Sequence, residues 1–90
     1  MIRINCFIKV EEKKRHIVLE AAKRLTEASQ KQDGCIAYDI FESATRPTVL
    51  MICETWRDQS ALDAHSESEV FKSEVKIMSE NAELKLETFS

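Results

Sequence analysis

The chain has 90 residues, 13 Lys plus Arg against 16 Asp plus Glu for a formal net charge of −3, and 43% hydrophobic positions. A chain of this size buries only about 60–65% of the surface it exposes unfolded, and it is too apolar for disorder, so residues 1–90 are expected to form one small domain. A single Gly and a single Pro exclude glycine-rich phosphate loops and dinucleotide fingerprints and argue against an all-β sandwich with its many tight turns.

The acidic balance leaves no footprint for nucleic acid, whose binding is dominated by phosphate neutralisation. The cluster Lys13, Lys14, Arg15 reads as the solvated start of a helix. No apolar run approaches the ~18 residues of a membrane span, and no secretion signal or membrane partner is expected. Cys6, Cys35 and Cys53 are odd in number, lack metal-ligand spacing and sit in apolar runs. They read as reduced thiols in a cytoplasmic protein with no metal site.

Residues 2–10 alternate, with Ile2, Ile4, Cys6, Ile8 and Val10 on one face and Arg3, Asn5, Phe7 and Lys9 on the other. That is a strand. From Glu11 the period changes. Val18, Ala21, Ala22, Leu25 and Ala28 form one helical stripe running to about Gln30, and Asp33-Gly34 supplies the exit. Cys35 to Glu42 reads as a second strand, on which Tyr38 shares a face with Ile36 and Ile40. Ser43 to Pro47 forms a turn, and Thr48 to Arg57 a third strand.

Asp58 can cap a short helix carrying Ala61, Leu62 and His65 on one side. Ser66, with Glu69 three residues on, or Ser68 starts another helix, whose stripe is Val70, Phe71, Val75 and Met78. Leu84, Leu86 and Thr88 alternate against Lys85, Glu87 and Phe89 in a fourth strand. The order βαββαβ implies a ferredoxin-like α+β fold, an antiparallel sheet covered by helices on one face.

Val49 to Cys53 is apolar at every step, whereas a sheet wet on one side alternates. Helices can cover only one face of that strand. A second copy of the same sheet is the simplest cover for the other, which predicts a homodimer through sheet faces.

The groups able to carry chemistry are few: Asn5, Tyr38, Trp56 and His65. His65 lies on the apolar side of its helix, where a neutral imidazole can take a proton from an acidic phenol or enol. A histidine stabilised by the helix C-terminus gives the same pattern. Trp56 follows Leu50, Ile52 and Glu54 on one strand face and reads as core or pocket wall. A buried Tyr38 needs a partner for its hydroxyl.

Three segments, Gly34-Cys35-Ile36-Ala37-Tyr38, Cys53-Glu54-Thr55-Trp56-Arg57-Asp58 and Ala61-Leu62-Asp63-Ala64-His65, followed by Phe71, resemble the antibiotic biosynthesis monooxygenase (quinol monooxygenase-like) family. The resemblance extends over nearly the whole chain and implies a dimeric α+β barrel with a pocket between sheet and helices in each subunit. It implies oxidation of a quinol or related phenol by dioxygen without metal, flavin or other cofactor. Carried over, His65 is the base or substrate hydrogen-bond partner, Trp56 and Phe71 are pocket walls, and Tyr38 is an orienting hydroxyl. Asn5 matches a first-strand asparagine of the haem-degrading branch and stands as a further substrate contact. That branch's iron ligand falls at about Val75, which cannot bind iron. The asparagine that precedes the strand-end Trp in polyketide-oxidising members is replaced by Ile52, a departure from that substrate class. The scaffold also admits a ligand-binding or stress-related dimer without turnover, and a metabolite isomerase.

Overall fold

The computed structural model describes residues 1–90. In chain order the elements are β1 (Ile2–Lys9), α1 (Arg15–Ser29), β2 (Cys35–Glu42), β3 (Val49–Trp56), α2 (Gln59–Glu67), α3 (Glu69–Asn81) and β4 (Glu83–Phe89). The strands form one sheet in the order β2-β3-β1-β4, every neighbouring pair antiparallel. This is the ferredoxin-like α+β fold.

Alternation decides which side chains meet the helices. On β1, Ile2, Ile4, Cys6 and Ile8 are buried beneath them; on β3 the same role falls to Leu50, Ile52, Glu54 and Trp56. Val18, Ala21, Ala22 and Leu25 of α1 and Met78 of α3 close the core from above. A bidentate ion pair from the Arg24 guanidinium to Glu74, at 2.9–3.1 Å, ties α1 to α3.

Three local expectations need correction. Helix α1 begins at Arg15, within the basic cluster expected to start it, after a single 3-10 turn at Glu12–Lys14. Its buried stripe passes through Thr26 and Ser29, leaving Ala28 only half-buried, because 3.6 residues per turn carry the inward face off a strict three-and-four spacing. The helix ends at Ser29, so Gly34 enters β2 and does not cap α1. On β2 a bulge between Cys35 and Ala37 breaks the register with β3. The extra residue throws Ile36 outward, 55% exposed, and turns Cys35 to the core beside Tyr38, because a bulge inverts the alternation on one side of it.

Both expected caps around α2 form. The Asp58 carboxylate accepts from the Ala61 amide at 2.9 Å, and Ser68, not Ser66, caps α3 by accepting from the Phe71 amide at 3.3 Å. Gly34 has φ +81°, and a Cβ there would collide with Cβ of Ala61. Its carbonyl accepts from the Arg57 amide at 2.8 Å. The single glycine thus stands where the entry to β2, the exit of β3 and α2 come closest.

Gly34→Ala is expected to destabilise the fold by about 2–5 kcal/mol, the sum of the positive-φ cost of ~1–2 and overpacking of ~1–3. Urea unfolding checks this, with the loss read from the midpoint at unchanged slope.

Candidate active site

Between the inner face of the sheet and α2/α3 lies a cavity of about 240 Å³, lined by apolar side chains from β1, β3 and β4 and from α1, α2 and α3. Its polar lining comes from Tyr38, Glu54, His65 and Ser66. β3 delivers Glu54 because alternation puts it inward between Ile52 and Trp56. His65 arrives from the last turn of α2, one turn after Ala61, so the close packing of Ala61 on Gly34 sets its depth. The C-terminal end of α2 is also pinned. The His65 carbonyl accepts from the Ser68 hydroxyl at 2.6 Å and from the Ser68 amide at 3.1 Å.

The imidazole is 2% exposed and stacked on Trp56, ring centroids 4.5 Å apart at 34°. Tyr38 and Phe71 flank it at 5.5 and 5.0 Å. Nδ1 lies 2.7 Å from the Gln32 side-chain oxygen. Nε2 has no hydrogen-bond partner; the nearest carboxyl oxygen, Oε1 of Glu54, is 3.9 Å away. That same oxygen accepts from the Trp56 indole N–H at 2.8 Å.

Burial sets the charge states. It pushes the His65 imidazole down to about 4, so the ring is neutral at pH 7. Burial also raises the Glu54 carboxyl above its ordinary value, against the opposing pull of the hydrogen bond it accepts from the Trp56 indole. Tyr38 is raised by burial and by Glu54, and remains a neutral phenol. Cys6 lines the cavity too, but burial and Glu54 lift its thiol to about 11, which keeps it out of nucleophilic chemistry at neutral pH. No three His, Cys, Asp or Glu side chains are grouped to hold a metal ion. The arrangement offers one bare imidazole nitrogen beside a carboxyl, at the polar end of an apolar chamber.

A model of the antibiotic biosynthesis monooxygenase family matches residues 1–76. The chain belongs to that family. It is 32% identical over 72 residues, 80% of its own length and 76% of the relative's, to YcnE of Bacillus subtilis, whose name carries a provisional monooxygenase assignment. A crystal structure from Bacteroides thetaiotaomicron, described as a conserved protein of unknown function and possible oxidoreductase, superposes with a TM-score of 0.96 at 52% identity. It covers 98% of this chain and 94% of that one. A crystal structure of an antibiotic biosynthesis monooxygenase superposes with a TM-score of 0.92, over 100% of this chain and 97% of that one. At 24% identity it shows the shared fold alone.

In this family member His65, Tyr38 and Phe71 converge on one cavity. Trp56 is fully buried behind His65 and supports the ring without lining the chamber. Asn5 is not brought to this site. It alternates with the buried Ile4 and Cys6 and lies on the opposite face of the sheet, beside Ala37, Asp39 and Cys53. Sequence reasoning missed two groups. Glu54 was legible as the one acidic side chain at an inward position of β3. Gln32 was not, because it lies in the α1–β2 connection, where no periodicity assigns a direction.

The depressed His65 value has a consequence for stability. The unfolded chain binds a proton at His65 below about 6.5 and the folded chain only near 4, so His65 favours unfolding as pH falls through that interval and is neutral in effect above it. Between pH 7 and 4.5 this costs about 2–3 kcal/mol. His65→Gln is expected to lose correspondingly less stability than the wild type over the same interval, measured by urea unfolding at both pH values.

Proposed function

We propose that the chain is a monooxygenase that oxidises a small quinol or related phenol with dioxygen and needs no cofactor, with His65 as proton acceptor. The bare Nε2 at the polar end of an apolar chamber supports this most directly. A substrate hydroxyl can donate to Nε2 once the side chains that bury this nitrogen shift to admit it, with the Glu54 carboxyl, 3.9 Å from Nε2, as the neighbouring polar group. The aromatic walls hold a flat ring against them. At about 240 Å³ the chamber is smaller than the ~300–1,000 Å³ of sites for drug-sized ligands. It suits one or two rings.

An imidazole held near 4 is a weak base towards an ordinary phenol. The proton therefore moves as an electron leaves the ring for dioxygen, because a one-electron-oxidised phenol is far more acidic. For a hydroquinone the balance is quinol plus O₂ to hydroxyquinone plus water. A ring C–H gives way to C–O, the second oxygen atom leaves as water, and the substrate supplies all the electrons.

A second copy of the chain belongs to the same reading. The face of the sheet away from the helices carries Phe7, Phe41 and Phe89, which are 39–50% exposed, with Val49, Met51 and Cys53 half-buried among them. Burying an aromatic or aliphatic side chain of this size contributes about 1.5–3 kcal/mol, so pairing two such faces is favourable. Light scattering at micromolar concentration is expected to give twice the chain mass for the wild type and a monomer for Met51→Glu. A monomeric wild type overturns the pairing.

Oxygen uptake with one- and two-ring hydroquinones tests the chemistry. His65→Gln is expected to lower kcat at least about 100-fold. Because the base must be unprotonated, wild-type kcat/KM is expected to stay level from pH 8 to 5 and to fall below about 4. A decline centred near 6.5 excludes the buried His65 as the acceptor, and no uptake across the panel excludes the oxygenase reading.

A further inference from the structure

His65 is the wall between two unlike spaces. On one side is the apolar chamber with Glu54; on the other is a polar cleft, also about 240 Å³, lined by Gln32, Asp33, Arg57, Ser60, Ala61 and Ala64. Gln32, the partner of Nδ1, belongs to the cleft, and Glu54, the carboxyl nearest Nε2, belongs to the chamber. A neutral imidazole carries its proton on one nitrogen only, and the group facing the other nitrogen decides which.

Resting on the reading of His65 as proton acceptor, we infer that Gln32 is a positioning residue that fixes the proton on Nδ1 and so keeps Nε2 a bare acceptor towards the substrate. The 2.7 Å contact to the Gln32 side-chain oxygen requires a donor on the ring, which Nδ1–H supplies. Nothing donates to Nε2, so the lone pair remains available there. Without this contact the proton can move to Nε2, the nitrogen a free imidazole prefers, where Oε1 of Glu54 stands nearest to receive it. The chamber then loses its only imidazole acceptor.

Both partners are anchored for this role. The Gln32 amide donates to the Ser29 carbonyl at 3.0 Å, and its carbonyl accepts from the Cys35 amide at 3.2 Å, so the α1–β2 connection is held on both sides of the residue. His65 is fixed by the Ser68 contacts to its carbonyl and by its stack on Trp56. The contact joins positions 33 residues apart in the chain and couples the connection before β2 to the end of α2.

The tautomer can be read without any turnover. Nitrogen-15 NMR of the histidine side chains distinguishes a protonated Nδ1 from a protonated Nε2. The exposed His16, the only other histidine, serves as internal reference. Wild-type protein at pH 7 is expected to show His65 with the proton on Nδ1. Gln32→Leu is expected to move it to Nε2 and to lower oxygen uptake at least about tenfold, whereas Gln32→Glu, which still accepts from Nδ1, keeps the wild-type pattern. A wild type protonated on Nε2 overturns the inference even if Gln32→Leu does not fold. So does a folded Gln32→Leu that keeps the wild-type pattern, or one that changes tautomer with no change in uptake. A wild type with the proton on Nδ1 that oxidises no hydroquinone sinks the oxygenase reading and supports the assignment of Gln32.

Discussion

Two ionisable side chains share the centre of a small core, and neither has a charged partner close enough to neutralise it. Glu54 and His65 are 8% and 2% exposed, and taking such groups out of water is costly unless they become neutral or find hydrogen bonds. Both do so in part. Glu54 accepts from the Trp56 indole and has its carboxyl value raised; His65 has its value lowered and donates to Gln32. What is left over is the Nε2 lone pair. A leucine and a phenylalanine at these positions would fill the core with no such remainder. Perturbed titratable groups meeting in a cavity are the pattern expected where a protein handles protons.

The scaffold around this pair is built to fix distances. Glu54 and Trp56 come from one strand two residues apart, so their hydrogen bond is set by the pleat itself. His65 comes from a nine-residue helix that is too short to be stable alone. It is held at its N-terminal end by the Asp58 cap, in its first turn by Ala61 against Gly34, and at its C-terminal end by Ser68. Each device acts on backbone or Cβ atoms. The imidazole therefore inherits its position from the helix, with only its ring orientation left for Gln32 and Trp56 to set.

Much of this was legible in the sequence because period and capping are local. The alternation in residues 2–10 and 84–89, the stripe from Val18 to Leu25 and the Asp58 cap each depend on neighbours within about two turns, and the elements appear where those signals lie. Sequence pattern also put His65, Tyr38 and Phe71 on apolar sides of their elements, which is enough to bring them together once the helices pack on the sheet. The failures share a cause. The bulge that ejects Ile36 is a defect of pairing with β3, and Gln32 gains its direction from a residue on another element. Neither leaves a mark in its own segment. Asn5 shows the converse limit, since its alternation already assigned it to the less apolar face and only the family resemblance moved it towards the substrate.

The two faces of the sheet divide the work. Leu50, Ile52, Glu54 and Trp56 point to the helices, while Val49, Met51, Cys53 and Thr55 point away, so the uninterrupted apolar run in β3 serves two surfaces at once. On the inner side its residues enclose a chamber that is open where Leu86, inward in register on the edge strand β4 yet 66% exposed, marks the mouth. On the outer side the apolar members are joined by Phe7, Phe41 and Phe89 from the three other strands. Because alternation separates the two sets, a substitution at Met51 acts on the outer face without entering the chamber, and one at Glu54 does the reverse. Association and chemistry can thus vary independently on one strand.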